Sequence, residues 1–167
     1  MLSLRVRSVT WEAQDILSFE LVDPSGAELP QVDAGAHLDV RVPGGLARRY
    51  SLCDPPWQRD HWRIAVLDAP NGRGGSRAMH QQVRAGQMLE VEGPHNFFPL
   101  ATAARHSVLL AGGIGITPVL AMAEQLNRDD RSWELHYCTR SPERTAFAGR
   151  LAAFGERVRI HHDGGDP

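Results

Sequence analysis

The feature that most constrains this chain is a change of rhythm near residue 100. Before it, apolar and polar residues alternate in short runs. "LSLRVRSV", "ILSFELVD", "HLDVRVP", "ARRYSLC", "HWRIAVLD" and "QMLEVEGP" all lie between Leu2 and Pro94. Alternation with period two gives each run one face for a core and one for water. The breakers Pro24-Ser25-Gly26, Gly44-Gly45 and Pro55-Pro56 turn the chain back between runs. Many short strands with this punctuation predict an antiparallel barrel or sandwich. One helix interrupts them, with Ser76 as the N-cap of "RAMHQQV" and Gly86 as its stop.

After Leu100 the pattern changes. "SVLLAG" is a continuous apolar run, as expected of a strand buried on both faces. Val119, Leu120, Ala123 and Leu126 then follow at helical spacing. "WELHYCTR" predicts a second strand, "ERTAFAGRLAAF" a second helix and "RVRIHHD" a third strand. This β-α-β-α-β order implies right-handed crossovers and a parallel sheet. The expected fold is an all-β antiparallel barrel over residues 1–103, followed by a partial α/β parallel-sheet domain over 104–167. Three parallel strands closing at "GGDP" are half of a doubly wound sheet, so we expect a piece of a longer protein.

Composition narrows the function classes. The 167 residues carry a net charge of −2, which gives no electrostatic case for nucleic acid or an anionic membrane. The N-terminus lacks the apolar core of a secretory signal, and no apolar run approaches the roughly 20 residues of a membrane span. A cytoplasmic protein is expected. Cys53 and Cys138 are too few for a disulfide framework or a four-thiolate iron–sulfur centre, and both are expected as small buried hydrophobes. The eight histidines are scattered, without a carboxylate or thiolate at ligand spacing, so no metal site is expected. His161 and His162 should point to opposite faces of their strand.

Three stretches have residue types suited to a cofactor. In "RRYSL", alternation puts Arg48 and Tyr50 on one face and Arg49 and Ser51 on the other; a charged edge strand would look the same. In "NGRGGSRAMH", Gly74, Gly75 and Ser76 present bare N–H groups at a helix N-terminus flanked by Arg73 and Arg77. That arrangement suits a phosphate, although a glycine-rich hairpin loop has the same composition. In "SVLLAGGIGITPVLAMAEQL", Gly112, Gly113 and Gly115 strip side chains from a strand end, and Thr117-Pro118 starts a helix as N-cap and first residue. The dinucleotide spacing G-x-G-x-x-G fails there, because Pro118 stands where the third glycine belongs. A tight turn without a ligand is the alternative.

Taken in order, "RRYSLC", "GRGGS", "HNFFPL", "LLAGGIGITP" and "HYCTRSPE" resemble the ferredoxin–NAD(P) reductase superfamily. Within it they resemble the phthalate dioxygenase reductase and vanillate demethylase reductase group, from Ser8 onward. The resemblance implies a flavin-binding barrel followed by a pyridine-nucleotide domain. Arg48 would pair with the flavin phosphate, Tyr50 would lie against the isoalloxazine and Ser51 would bond near its N5. Arg49 and Leu52, in the same strand, are counted with the cofactor contacts. Backbone groups of Ile64, Ala65 and Val66 would read the pyrimidine edge, and Gly74, Gly75 and Ser76 would hold the phosphate. Gly113 and Ile114 would line the nucleotide side, Thr117 would sit where nicotinamide meets flavin, and Arg140 and Ser141 would contact the nucleotide. Ser51 and Thr117 are the implied catalytic residues. Hydride transfer is cofactor chemistry, so no acid–base pair or triad is required.

The same resemblance favours FMN over FAD and NADH over NADPH, although an arginine near the second strand end also suits a 2′-phosphate. Members of the group continue into a Cys-Gly-Pro segment and a four-cysteine ferredoxin domain, so a 2Fe–2S centre is expected only beyond these residues. The implied function is a reductase component. It would pass hydride from NADH to flavin, and single electrons onward to the iron–sulfur centre and a Rieske-type oxygenase. Two alternatives stand beside it: a flavin or ferric-chelate reductase with a diffusible acceptor, and a catalytically silent flavin-binding module.

Overall fold

All six alternating runs form strands, because each offers an apolar face to the same interior. The computed structural model describes residues 1–163; the closing "GGDP" lies outside the described residues. The strands are β1 (Leu2–Ala13), β2 (Ile16–Val22), β3 (His37–Arg41), β4 (Ala47–Ser51), β5 (Trp62–Leu67) and β6 (Met88–His95). They form one antiparallel sheet in the order β4-β3-β6-β1-β2-β5. The register pairs Leu38 with Tyr50, Val40 with Val91, Leu4 with Leu89 and Phe19 with Ile64. The inward side chains make a single core, plugged by Met79 of helix α1 (Gly75–Gln82). The sheet curls until its edges meet at one bridge, Leu52 with Ile64, and Cys53 N–H donates to Arg63 O at 2.9 Å. It is a barrel with an open seam.

Both ends of α1 differ from expectation. Gly74, at φ 85°, makes the chain reversal and takes the N-cap position, so Ser76 is drawn inside the first turn. Ser76 Oγ accepts from the Ala69 N–H at 3.1 Å instead of capping the helix. The helix ends at Gln82, capped by Val83. Gly86 lies in the next turn, where its N–H donates to Val6 O at 2.8 Å.

The second unit comprises β7 (Ser107–Gly112), α2 (Ile116–Arg128), β8 (Trp133–Thr139), α3 (Ala148–Ala152) and β9 (Val158–His162). The three strands are parallel in the order β7-β8-β9. Leu120 and Ala123 of α2 and Leu151 of α3 share one cluster with Leu109, Leu135 and Tyr137 of the strands. That cluster runs on into the barrel wall through Ile16, Ala34, Cys53 and Ala65.

Four expectations fail in this unit. β7 is buried on one face only, with Val108 54% and Leu110 72% exposed. Both crossovers step the same way, so a single handedness leaves both helices on one side of the sheet. Cys138 falls on that open face and is exposed, whereas Cys53 is buried. The second helix is broken: a 3-10 turn at Pro142–Arg144 is followed by an extended Thr145 and by Phe147 at φ 60° before α3 begins. Finally, α2 starts two residues early, at Ile116 rather than Pro118, behind a 3-10 turn over Gly113–Gly115, so Thr117 is inside the helix. His161 and His162 do diverge, His161 stacking on His136 and His162 meeting Thr139. Among the described residues no group of three or more His, Cys, Asp or Glu could hold a metal, and no helix is long and apolar enough to cross a membrane.

Candidate cofactor cleft

The site is built on two surfaces, one from each sheet. The first is the outer end of β4 and the start of α1. Arg48 folds over the helix start so closely that a Cβ on Gly75 would lie 2.7 Å from its Nε and 2.8 Å from its Cγ. Only a glycine there leaves Arg48 room for this pose. No side chain caps the first turn of α1, and that turn holds no acidic residue. Its free N–H groups and the Arg48 guanidinium therefore combine into an anion cradle. Arg48 is also steadied by donating from Nη1 to Ala47 O at 2.7 Å.

Tyr50, two residues along the strand, is half-buried against the barrel core. Burial pushes its phenol up to about 12, so it stays neutral and presents a flat apolar ring. Arg49 is engaged elsewhere, with Nε 3.3 Å from Asp39 Oδ1 and its guanidinium over the Phe97 ring. Ser51 is partly exposed and Leu52 buried. On β5, Ile64, Ala65 and Val66 are all buried. Val66 O already accepts from His80 Nε2 at 2.8 Å.

The second surface is the carboxyl end of the parallel strands, where open α/β sheets hold their ligands. A cleft of about 750 Å³ opens there. One wall is Gly112, Gly113 and Ile114 with Thr139 and Arg140; the other is the Gln14–Asp15 turn with Asp68 to Gly72 of the barrel. Glycines at the end of β7 leave backbone bare, so a flat ligand can approach closely. Tyr137 OH donates to Gly113 O at 3.1 Å and fixes the turn from beneath. Thr117 is buried behind the wall, its hydroxyl donating to Ile114 O at 3.1 Å. Ser141 turns its carbonyl back to the Thr139 and Thr145 hydroxyls.

The structure thus brings Arg48, Tyr50, Gly74, Gly75 and Ser76 to one surface, and Gly113, Ile114 and Arg140 to the other. Arg49, Thr117 and Ser141 spend their side-chain or carbonyl contacts inside the protein. Several wall residues had no motif to mark them. Asp15 pairs with Arg144 at 2.9 Å across the cleft edge, and Gln14 N–H donates to Glu143 O at 2.8 Å. Asp68 keeps one buried carboxylate oxygen without a partner. Only Tyr137 had a signal in the sequence, its place on the inward phase of β8.

No family model matches the chain. Individual proteins do. It is 45% identical over 167 residues to the vanillate O-demethylase oxidoreductase of Pseudomonas sp. strain HR199. It is 49% identical over 169 residues to the phthalate dioxygenase reductase of Burkholderia cepacia. The solved phthalate dioxygenase reductase, described as modular for electron transfer from pyridine nucleotides to a 2Fe–2S centre, superposes with a TM-score of 0.95 and 48% identity over 99% of this chain. The chain is a homologue of the phthalate dioxygenase and vanillate demethylase reductases. It spans about half the length of these relatives, 53% of the first and 52% of the second. Its barrel and parallel sheet repeat the fold of phthalate dioxygenase reductase over the shared part.

Proposed function

We propose that this chain is the flavin- and nucleotide-binding part of an oxygenase reductase. In this reading residues 1–103 hold FMN and residues 104–167 carry the first half of an NADH site. The observation that carries it is Arg48 lying across Gly75 at the uncapped start of α1. That cradle suits a terminal phosphate. Tyr50, two residues along the same strand, adds a neutral ring, and the cleft at the end of β7 adds bare backbone. FMN carries a single terminal phosphate, which favours it over FAD.

The flavin held here would supply the redox chemistry, hydride uptake from NADH and single-electron release. The residues of this chain bind and orient. Arg48 and the α1 N–H groups neutralise the phosphate, and Tyr50 supports the ring. Ser51, at the end of β4, places a hydroxyl at the flavin edge. Gly113 and Ile114 let the nicotinamide approach, while Thr117 holds their turn in shape. Holding two cofactors in contact at a fixed angle is itself a large part of the rate enhancement.

The onward acceptor is an iron–sulfur centre and then an oxygenase of the Rieske type. Two cysteines, one of them buried, cannot ligate that centre within these residues.

The deciding experiment is the visible spectrum of the purified chain, reconstituted with FMN or FAD and titrated anaerobically with NADH. Flavin absorbance that bleaches supports the reductase. Bound flavin that stays oxidised reduces the chain to a flavin-binding module. No retained flavin overturns the proposal.

A further inference from the structure

Behind the cleft, on the far side of the junction between the two units, lies a second cavity of about 480 Å³. Its floor is a charged cluster assigned no part in the chemistry above: Asp54, His61, Arg63, Glu124 and Arg150. Arg150, on α3, is the hub. Its Nη1 donates to Asp54 Oδ1 at 2.9 Å and its Nη2 to the Cys53 carbonyl at 3.1 Å. Nε and Nη2 both donate to Glu124 Oε1, at 3.0 and 2.6 Å. The guanidinium is roughly three-quarters buried. Its planar fork satisfies three acceptors on two separate elements with a fixed geometry that an ammonium lacks.

The acceptors matter more than their number. Cys53 and Asp54 directly follow Ser51 and Leu52, so they are the exit of the strand that carries Arg48, Tyr50 and Ser51. Glu124 is seven residues after Thr117 on α2, two helical turns down the same face from the glycine turn. One side chain therefore grips both the chain leaving β4 and the helix that follows the glycine turn. The contacts at the cleft mouth are weaker anchors: a surface pair, Arg144 with Asp15, and one backbone bond from Gln14. Asp54 is itself held from the barrel side, with Oδ2 3.0 Å from His61 Nε2 and 3.3 Å from Arg63 Nε. Asp54 thus has charged neighbours on the barrel as well as Arg150.

We infer that Arg150 is a positioning residue that sets the spacing between the β4 surface and the α2 surface, and with it the distance a hydride must cross. This rests on the reading that flavin occupies the first surface and nicotinamide the second. A displacement of about 1 Å between reacting atoms is enough to cost about 100-fold in rate. Loss of the clamp should therefore act on the transfer step and spare flavin binding, whose contacts all lie on the barrel.

The test uses Arg150→Ala and Arg150→Lys in the whole chain, with FMN affinity and anaerobic stopped-flow reduction by NADH measured for each. The expected result for Arg150→Ala is an FMN dissociation constant within twofold of the parent and a saturating reduction rate lowered by about 100-fold. Arg150→Lys should fall between them, since it keeps the charge and loses the fork. A saturating rate within twofold of the parent for Arg150→Ala overturns the inference. A second measurement needs no cofactor. Spin labels at exposed Ala85 and Asp129, introduced by Ala85→Cys and Asp129→Cys in a Cys138→Ser background, report the distance between the units. A narrow distance distribution should broaden in Arg150→Ala; an unchanged one overturns the inference. If the parent binds flavin but NADH does not reduce it, the proposed function fails while the label distances still judge Arg150.

Discussion

At the scale of single residues, the arrangement that matters most is Arg48 against Gly75. An arginine needs a partner of opposite charge or a carbonyl, and here one carbonyl, that of Ala47, holds it beside unpaired helix N–H groups. In the proposed function a phosphate would complete that set. Arg48→Ala should weaken FMN binding by about 10- to 100-fold, the worth of a hydrogen bond to a charged group. Arg5→Ala, on the exposed face of β1, should leave it unchanged; fluorescence quenching titrations compare the two. Gly75→Ala tests the same contact from the other side. The added methyl must displace the flexible Arg48 side chain rather than backbone, so FMN affinity should fall while the unfolding midpoint moves by only a few degrees.

At the scale of elements, the start of α2 shows how a turn is held. The 3-10 turn over Gly113–Gly115 has no capping side chain, and the Thr117 hydroxyl and the Tyr137 phenol fix it by bonding to Ile114 O and Gly113 O. Thr117→Val removes one such bond, worth about 1 kcal/mol. It should lower the melting temperature by about 2–4 °C, leave FMN bound and slow its reduction by NADH. The junction of β5 with the barrel wall predicts a pH dependence. Hydrogen bonding to Asp54, against the opposing effect of burial, raises the pKa of His61 above its ordinary value. A histidine raised in the folded state stabilises fully below its unfolded pKa of about 6.5, and that contribution fades as pH rises through the folded value. Asp54 behaves oppositely. Burial pushes it up, but the His61 bond and the charges of Arg150 and Arg63 bring it down overall, so its contribution is lost only as pH falls through acid. Thermal melts of the parent and of His61→Gln should therefore differ most near pH 6 and converge toward pH 8.

At the scale of the whole molecule, two sheets of different character share a junction, and one of them has a bare face. Val108 and Leu110 stand exposed on β7, and among the described residues no element covers them. Contiguous exposed apolar side chains favour association. The double substitution Val108→Thr with Leu110→Lys should reduce concentration-dependent association in light scattering. The unfolding midpoint should hardly move, because neither side chain is in the core.

Much of this protein is legible from local pattern. Alternation found the six barrel strands, since a strand with one wet face must alternate whatever it pairs with. The glycines at residues 112–113 do line the cleft, and those at 74–75 lie under Arg48 at the start of α1. What local pattern cannot supply is direction in space. Ser76 and Thr117 look like caps in the sequence, yet left-handed Gly74 and the 3-10 turn at Gly113 move each two places inward. "SVLLAG" looks buried on both faces, and only the handedness of two successive crossovers leaves one face bare. Arg150 has no motif at all. Its partners lie 26 and 96 residues away along the chain, and only the packing of α3 against the barrel brings a guanidinium to the strand exit and the helix together. Residue type and spacing determined which chemistry this chain can hold; the distance between its two halves is a property of the assembled fold.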